Sequence, residues 1–252
     1  MKLNNTVYEL PNKLKAIVTN IPGRTSTLIQ VFVKTGYANE YTDRKQYGHA
    51  HFVEHMLFKG TKKRSQKDLN TEADILGGSF NAYTSREHTT YYIQIHGNKV
   101  AEGMDLLSDM VFNATFASKE IEKEKSVIVE EFKSRNDQPE VLLYDLWDSN
   151  NFNNSMGHSP IGDEVTINES SRKSLLNYYK KHYRPDNMIV TITGNTDKIS
   201  KELIMKYFGK YKNEGTYTKV PFSQINPNAT GKTVHKDIEQ IHFYLSYPGL
   251  RA

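Results

Sequence analysis

The chain contains 252 residues, enough to bury a core of its own in one large domain or two small ones. Its composition, with 37% hydrophobic, 11% aromatic and 25% charged residues, is that of an ordinary soluble globular protein. The net charge of +4 is modest and the lysines are dispersed, so we expect no nucleic-acid partner. No apolar run reaches the roughly 18 residues of a membrane span, and the first segment lacks a signal-peptide core. We therefore expect no membrane association and a cytoplasmic location.

Three strands are predicted at the start of the chain, over residues 6–10, 14–19 and 28–34. The dipeptides Pro11-Asn12 and Pro22-Gly23 supply the turns between them. A polar loop then leads to the most informative segment of the chain.

This segment holds two histidines, His51 and His55, four residues apart, with Glu54 immediately before the second one. Its apolar residues have the spacing of a helix with one buried face, which we expect to end near Gly60. Four residues return to the same side of a helix, so both imidazoles project together, as two ligands of one divalent metal would. The order H-x-x-E-H is that of inverzincin peptidases, in which the glutamate acts on water. The competing interpretation is two half-buried histidines beside a surface glutamate.

Two further features bear on this motif. The chain has no cysteine, so only His, Asp or Glu can serve as metal ligands. His49 lies two residues before His51 and points away from it on a helix, so we interpret it as a capping or surface residue.

The next elements continue the alternation of helix and strand. Ser65 is the predicted N-cap of a helix that runs to residue 76. Two strands, residues 79–84 and 89–96, and a helix over residues 99–113 follow it.

A carboxylate-rich helix is predicted over residues 119–136. Within it, Glu124 and Glu131 are seven residues apart and therefore share a face. Glutamates on such a helix are usually solvated and paired with lysines one turn away, and that interpretation stays open for both of them.

The last third of the chain contains more helices and a strand, followed by a predicted linker. Pro139 opens one helix, a second ends at His182 with Asn168 or Ser170 as its cap, a strand spans residues 187–193, and a helix spans residues 198–209. The domain boundaries then follow. We expect an α+β domain over residues 1–211, with a mostly antiparallel sheet packed against helices, a linker over residues 212–233, and the first strand of a second, truncated homologous domain over residues 234–252.

Three stretches together carry a family resemblance. They are the motif His51-x-x-Glu54-His55, the run Glu-Lys-Glu-Lys-Ser-Val-Ile-Val-Glu-Glu over residues 122–131, and the run Gly-Gly-Ser-Phe-Asn-Ala-Tyr-Thr-Ser-Arg-Glu-His-Thr-Thr-Tyr-Tyr over residues 77–92. In this combination the chain resembles the pitrilysin/insulinase/mitochondrial processing peptidase family of inverzincin zinc metallopeptidases, and within it a bacterial processing protease. Residues 183–188 also match the family pattern, so the resemblance covers nearly the whole chain.

The resemblance implies a role for each matching residue. His51, His55 and Glu131 would be the ligands of one Zn²⁺ per chain, with Glu130 as the neighbouring alternative for the third ligand. Glu54 would be the general base, and Glu124 a nearby acid that assists the site. The residues of the edge strand that would pair with substrate backbone are Asn81, Ala82 and Tyr83.

The function expected from these residues is zinc-dependent endopeptidase activity on extended peptides, with a zinc-bound water activated by Glu54. Family members work as clamshells of four related domains, so the chain would need its missing C-terminal half or a second subunit to close the active-site chamber. Two alternatives remain open: a non-catalytic subunit that binds peptide, and a fragment that is inactive without its partner half.

Overall fold

The computed structural model describes residues 4–40, 43–152, 156–197, 199–214, 226 and 229–247. Its centre is a six-stranded sheet in the order β1-β2-β6-β3-β5-β4. The strands are β1 (Asn4–Glu9), β2 (Lys15–Asn20), β3 (Ser26–Val33), β4 (Ser79–Thr84), β5 (Thr89–His96) and β6 (Met188–Gly194).

Strand β6 enters the sheet between β2 and β3, although it comes from the far end of the domain. It pairs parallel to β2 and antiparallel to β3, whereas the other three pairings are all antiparallel. The predicted α+β fold with a mostly antiparallel sheet is confirmed.

The sheet is covered by helices on one face. Along β3 every second residue is buried, and β6 shows the same alternation, so one face of each strand points into the core. The helices are α1 (His49–Leu57), α2 (Gln66–Ile75), α3 (Val100–Asn113), α4 (Ser118–Asn136), α5 (Pro139–Asn151), α6 (Glu164–Glu169), α7 (Arg172–His182) and α8 (Lys201–Ile204). Helix α3 packs on β3 and β5, where fully buried Met104 and Leu107 belong to the same core as Ile29 and Ile93.

Most predicted boundaries lie within two residues of those in the structure. Both strands of the β4–β5 hairpin have the predicted limits, and Ser65 caps α2 in a reciprocal arrangement with Asp68. Helix α6 was not predicted, since six residues are too few to show a helical repeat. The cap of α7 is Ser171 rather than Asn168 or Ser170.

The C-terminal segment differs from expectation. No described strand includes or pairs with residues 238–247, and Ile241 and Phe243 are exposed. A strand needs a neighbour for its backbone groups, and none of the described strands supplies one here. Most of the predicted linker lies outside the described residues, and a second domain beginning at residue 234 stays a prediction. No helix in the described part of the chain combines the length and apolar character of a membrane span.

Candidate metal centre

Helix α1 presents two imidazoles from one of its faces. His51 and His55 are half-buried, and their Nε2 atoms lie 3.2 Å apart. The opposite side of the helix is anchored in the core through Phe52, Val53 and Met56, which are almost fully buried. Burial of such side chains stabilises the helix position by about 1.5–3 kcal/mol each, so the histidines stand on a rigid element.

A carboxylate from α4 joins the two rings. Glu131 Oε1 lies 3.5 Å from His51 Nε2, and its Oε2 lies 3.5 Å from His55 Nε2. These three side chains form a group whose ligand atoms could hold a metal ion. Glu130, the alternative, points away and pairs with Lys133 Nζ at 2.9 Å. The geometry therefore favours Glu131 as the third member of the site.

The spacing of these atoms agrees with the coordination chemistry of zinc. Zinc–ligand distances of about 2.0–2.2 Å place neighbouring ligand atoms of a tetrahedral site about 3.3–3.6 Å apart. The observed separations of 3.2 and 3.5 Å match that edge length. Two imidazole nitrogens and one carboxylate also leave a fourth position open, which is the pattern of catalytic rather than structural zinc sites.

Glu124 fixes the orientation of one of the rings. Its Oε1 lies 2.8 Å from His55 Nδ1, and its Oε2 accepts a hydrogen bond from Lys59 Nζ at 2.6 Å. Burial opposes the charge on this carboxylate, but the hydrogen bonds from His55 and Lys59 hold its pKa below the ordinary value. Because an ionised carboxylate only accepts, His55 donates through Nδ1 and presents the lone pair of Nε2 to the site.

The carboxylate of Glu131 is held ionised by the two imidazole rings that it faces. A hydrogen bond with His51 lowers the pKa of Glu131, and partial burial opposes this shift without reversing it. Glu131 therefore presents charged oxygen atoms to the two imidazoles, as a metal ligand would.

Glu54 lies beside the three-residue group without belonging to it. Its side chain is half-buried, and its Oε2 accepts a hydrogen bond of 2.5 Å from Thr84 Oγ1. Thr84 is the last residue of β4, so this bond ties the edge strand to α1. This bond fixes the position of one oxygen of Glu54.

The predicted substrate residues lie on β4, which is the outermost strand at this end of the sheet. Asn81 and Tyr83 are exposed, whereas Ala82 is half-buried. The Ala82 N–H donates to the side-chain oxygen of Asn81 at 2.9 Å. An edge strand has one row of backbone groups without a partner strand, which is the prerequisite for pairing with an extended peptide.

Two contacts of the site were not predicted from the sequence, and one histidine was misjudged. Lys59 lies four residues after His55, one helical turn on, so this spacing could have indicated that both side chains contact the same carboxylate, Glu124. Nothing in the sequence indicated the contact of Thr84 with Glu54. The interpretation of His49 as a capping or surface residue was wrong: it is 1% exposed, and its Nε2 lies 3.0 Å from Ser174 Oγ of α7. The ring points away from His51 as expected, but α7 covers that side of the helix.

Two family models match the sequence. Residues 15–164 match the insulinase family, peptidase family M16, and residues 170–252 match the peptidase M16 inactive domain.

Individual relatives agree with these matches. The zinc protease YmxG of Bacillus subtilis is 33% identical over 97% of this chain and 59% of its own length. The beta subunit of the mitochondrial-processing peptidase of Caenorhabditis elegans is 35% identical over 84% of this chain and 46% of its own. The crystal structure of a protease from Helicobacter pylori superimposes with a TM-score of 0.81 at 24% identity, over 89% of this chain and 55% of that one, a likeness of fold. The chain thus spans about half to three-fifths of the length of these proteins.

Proposed function

Because this chain belongs to the insulinase family of peptidases, family M16, we propose that it binds zinc through His51, His55 and Glu131 and takes part in peptide-bond hydrolysis. The observation that carries the proposal is the convergence of two imidazole nitrogens and a carboxylate from separate helices at 3.2–3.5 Å. Relatives named zinc proteases support the choice of metal.

The chemistry divides between the metal and the side chains around it. Zinc, when bound, would polarise the scissile carbonyl and lower the pKa of a water molecule. Glu54 would take the proton of the attacking water on the oxygen that Thr84 leaves free and would deliver it to the leaving amine. Glu124 would keep His55 oriented throughout.

The substrate would lie along β4. Backbone pairing with Asn81, Ala82 and Tyr83 would add the peptide to the sheet as a further strand. Such binding reads the backbone more than the side chains, so we expect unfolded or extended peptides to be preferred over folded proteins.

The chain supplies one part of a larger arrangement in this proposal. Its relatives are longer, and neighbouring structures include proteins of which it covers about one quarter. A closed chamber around the peptide would require a further half or a second subunit. A non-catalytic, peptide-binding role is the alternative, favoured by the match of residues 170–252 to the M16 inactive domain.

Metal content and peptide cleavage together test the proposal. The purified chain should hold one zinc per molecule by atomic absorption, and His51→Ala should hold almost none. Glu54→Gln should retain zinc and lower kcat for an extended fluorogenic peptide by about 10²- to 10⁴-fold.

The outcomes separate the functions. Zinc-free wild-type protein from a zinc-supplemented preparation would contradict the metal site. Zinc and peptide binding without cleavage, with and without the remaining half, would favour the non-catalytic alternative.

A further inference from the structure

A buried carboxylate lies at the first turn of the helix that carries the histidines. Glu40, at the end of the short helical turn Tyr37–Glu40, is fully buried. Its Oε2 accepts a hydrogen bond from Gly48 N at 2.8 Å, and its Oε1 accepts one from Ala50 N at 2.5 Å. Two of the N–H groups at the start of α1 that lack partners within the helix are thus satisfied by a residue outside it.

Helix α1 cannot be capped by the side chain of its own N-cap residue. A cap normally comes from a Ser, Thr, Asp or Asn side chain at the N-cap position, which here is Gly48. Gly48 has a φ of +86°, and a Cβ there would lie 2.2 Å from the carbonyl oxygen of Ile161. Because the backbone passes so close, residue 48 cannot carry a side chain, and the capping oxygen atoms have to come from elsewhere.

His158 lies against the carboxyl group of Glu40. His158 Nε2 lies 3.5 Å from Glu40 Oε2, and the ring stacks on Tyr47 with centroids 3.8 Å apart. His158 Nδ1 lies 2.8 Å from the carbonyl oxygen of Ser159, which only accepts, so Nδ1 carries a proton. His158 Nε2 then faces the carboxyl group of Glu40 across this distance of 3.5 Å.

Burial disfavours the charged forms of both groups. It raises the pKa of Glu40 well above the ordinary value and lowers that of His158. Both directions favour the neutral forms of the two groups. The pair therefore fixes the beginning of α1 without a buried net charge.

On the basis of the proposed zinc site, we propose that Glu40 and His158 are positioning residues that hold the first turn of α1, and with it His51, in place for metal binding. His51 lies in that turn, one residue after the Ala50 N–H that Glu40 accepts. His55 lies in the last turn and is oriented separately by Glu124. A helix of nine residues with an uncapped start frays from that end, so loss of the cap acts on His51 first.

The test is the zinc dissociation constant of the full chain, measured by competition with a chromophoric chelator at a temperature where each variant is folded. Glu40→Ala should raise the zinc Kd by about tenfold or more, the size of effect that supporting residues of metal sites show. Glu40→Gln keeps one acceptor oxygen and should show a smaller rise. His158→Phe keeps the ring over Tyr47, removes Nε2 and should also weaken binding.

A matched control separates positioning from general loss of stability. Asp109→Asn alters another buried acid, one that Arg64 and Thr61 contact away from the first turn of α1. It should lower the Tm and leave the zinc Kd unchanged. If Glu40→Ala does not fold, the Glu40→Gln and His158→Phe values decide.

The measurements distinguish failure of the positioning role from failure of the proposed zinc site. Unchanged zinc affinity in the folded Glu40 and His158 variants would overturn the positioning role alone. An equal loss in Asp109→Asn would do the same. A wild-type chain without zinc affinity would overturn the zinc site itself, and the positioning role with it.

Discussion

At the scale of single residues, the candidate site depends on charged side chains that are largely buried. The side chains of Glu124 and Lys59 are 5% and 18% exposed, and each compensates the other. An exposed pair of the same type contributes little, because solvent screens it, whereas a partly buried pair leaves an uncompensated charge when one member is removed.

Lys59→Met should therefore cost about 2–3 kcal/mol of unfolding free energy, because it leaves the Glu124 carboxylate buried with His55 as its remaining partner. Urea unfolding followed by circular dichroism measures this difference. Lys123→Met is the matched control: Lys123 pairs with Glu120 on the surface, so its removal should change stability by less than about 0.5 kcal/mol. Equal effects of the two substitutions would contradict the importance of burial.

A buried histidine away from the site makes stability depend on pH. Burial, and to a smaller degree Lys181, lowers the pKa of His182 to about 3. The unfolded chain binds this proton near the ordinary value of about 6.5, so between the two values the unfolded state holds more protons. Stability from this group is complete above about pH 6.5 and is lost progressively as the pH falls towards 3.

At pH 5.5 the loss from His182 should be about 1.4 kcal/mol relative to neutral pH. His182→Leu should reduce the difference between the unfolding free energies at pH 7.5 and 5.5 by that amount. His96→Gln alters a surface histidine and should leave the difference unchanged. If all three proteins lose the same stability on acidification, His182 is not the group responsible.

At the scale of elements, the site arises where α1, α4 and β4 meet. The spacing of His51 and His55 predicted their shared face, and the spacing of Glu124 and Glu131 predicted theirs, because helical periodicity is a local property. The meeting of the two helices depends on packing across many residues, which no local pattern encodes; here the family resemblance supplied it. Lys59 and Thr84 lie at element ends, where direction is set by tertiary contacts.

Prediction of the sheet from the sequence is limited in the same way. The hairpin β4–β5 was predicted with its boundaries, since its two strands are neighbours in sequence. The insertion of β6 between β2 and β3 was not predicted, because strand order follows from long-range pairing. His49 was misjudged for the same reason: the sequence indicated its direction on α1 but not the presence of α7 there.

The bond from Thr84 to Glu54 couples the substrate strand to the candidate base, and its removal tests this coupling. Thr84→Val keeps the shape and removes the donor, so Glu54 loses its fixed orientation. We expect kcat for an extended peptide to fall by about tenfold, with zinc content unchanged. Thr90→Val is the control, since Thr90 lies opposite Tyr83 in the sheet and its buried hydroxyl has no hydrogen-bond partner among the residues that the structure describes. A similar loss in both variants would assign the effect to the sheet rather than to Glu54.

At the scale of the whole molecule, we expect the fold to be independent of the proposed metal. The sheet and its helices enclose a continuous apolar core, whereas the candidate ligands lie half-buried or exposed at its margin. A small zinc domain that lacks such a core unfolds when the metal is removed, but a chain with its own core loses only the binding free energy.

Treatment with EDTA should therefore leave the far-ultraviolet circular dichroism spectrum unchanged and lower the Tm. With free zinc at about 100 times its Kd, binding adds about 2.7 kcal/mol, which corresponds to roughly 5–10 °C for a chain of this size. Calorimetry with and without EDTA measures the shift. His51→Ala lacks one ligand, so its Tm should respond little to EDTA, and a shift as large as that of the wild type would place the stabilising metal elsewhere. The apolar contacts of the core remain when only the ligands lose their partner, so complete unfolding in EDTA would contradict a fold that is independent of the ion.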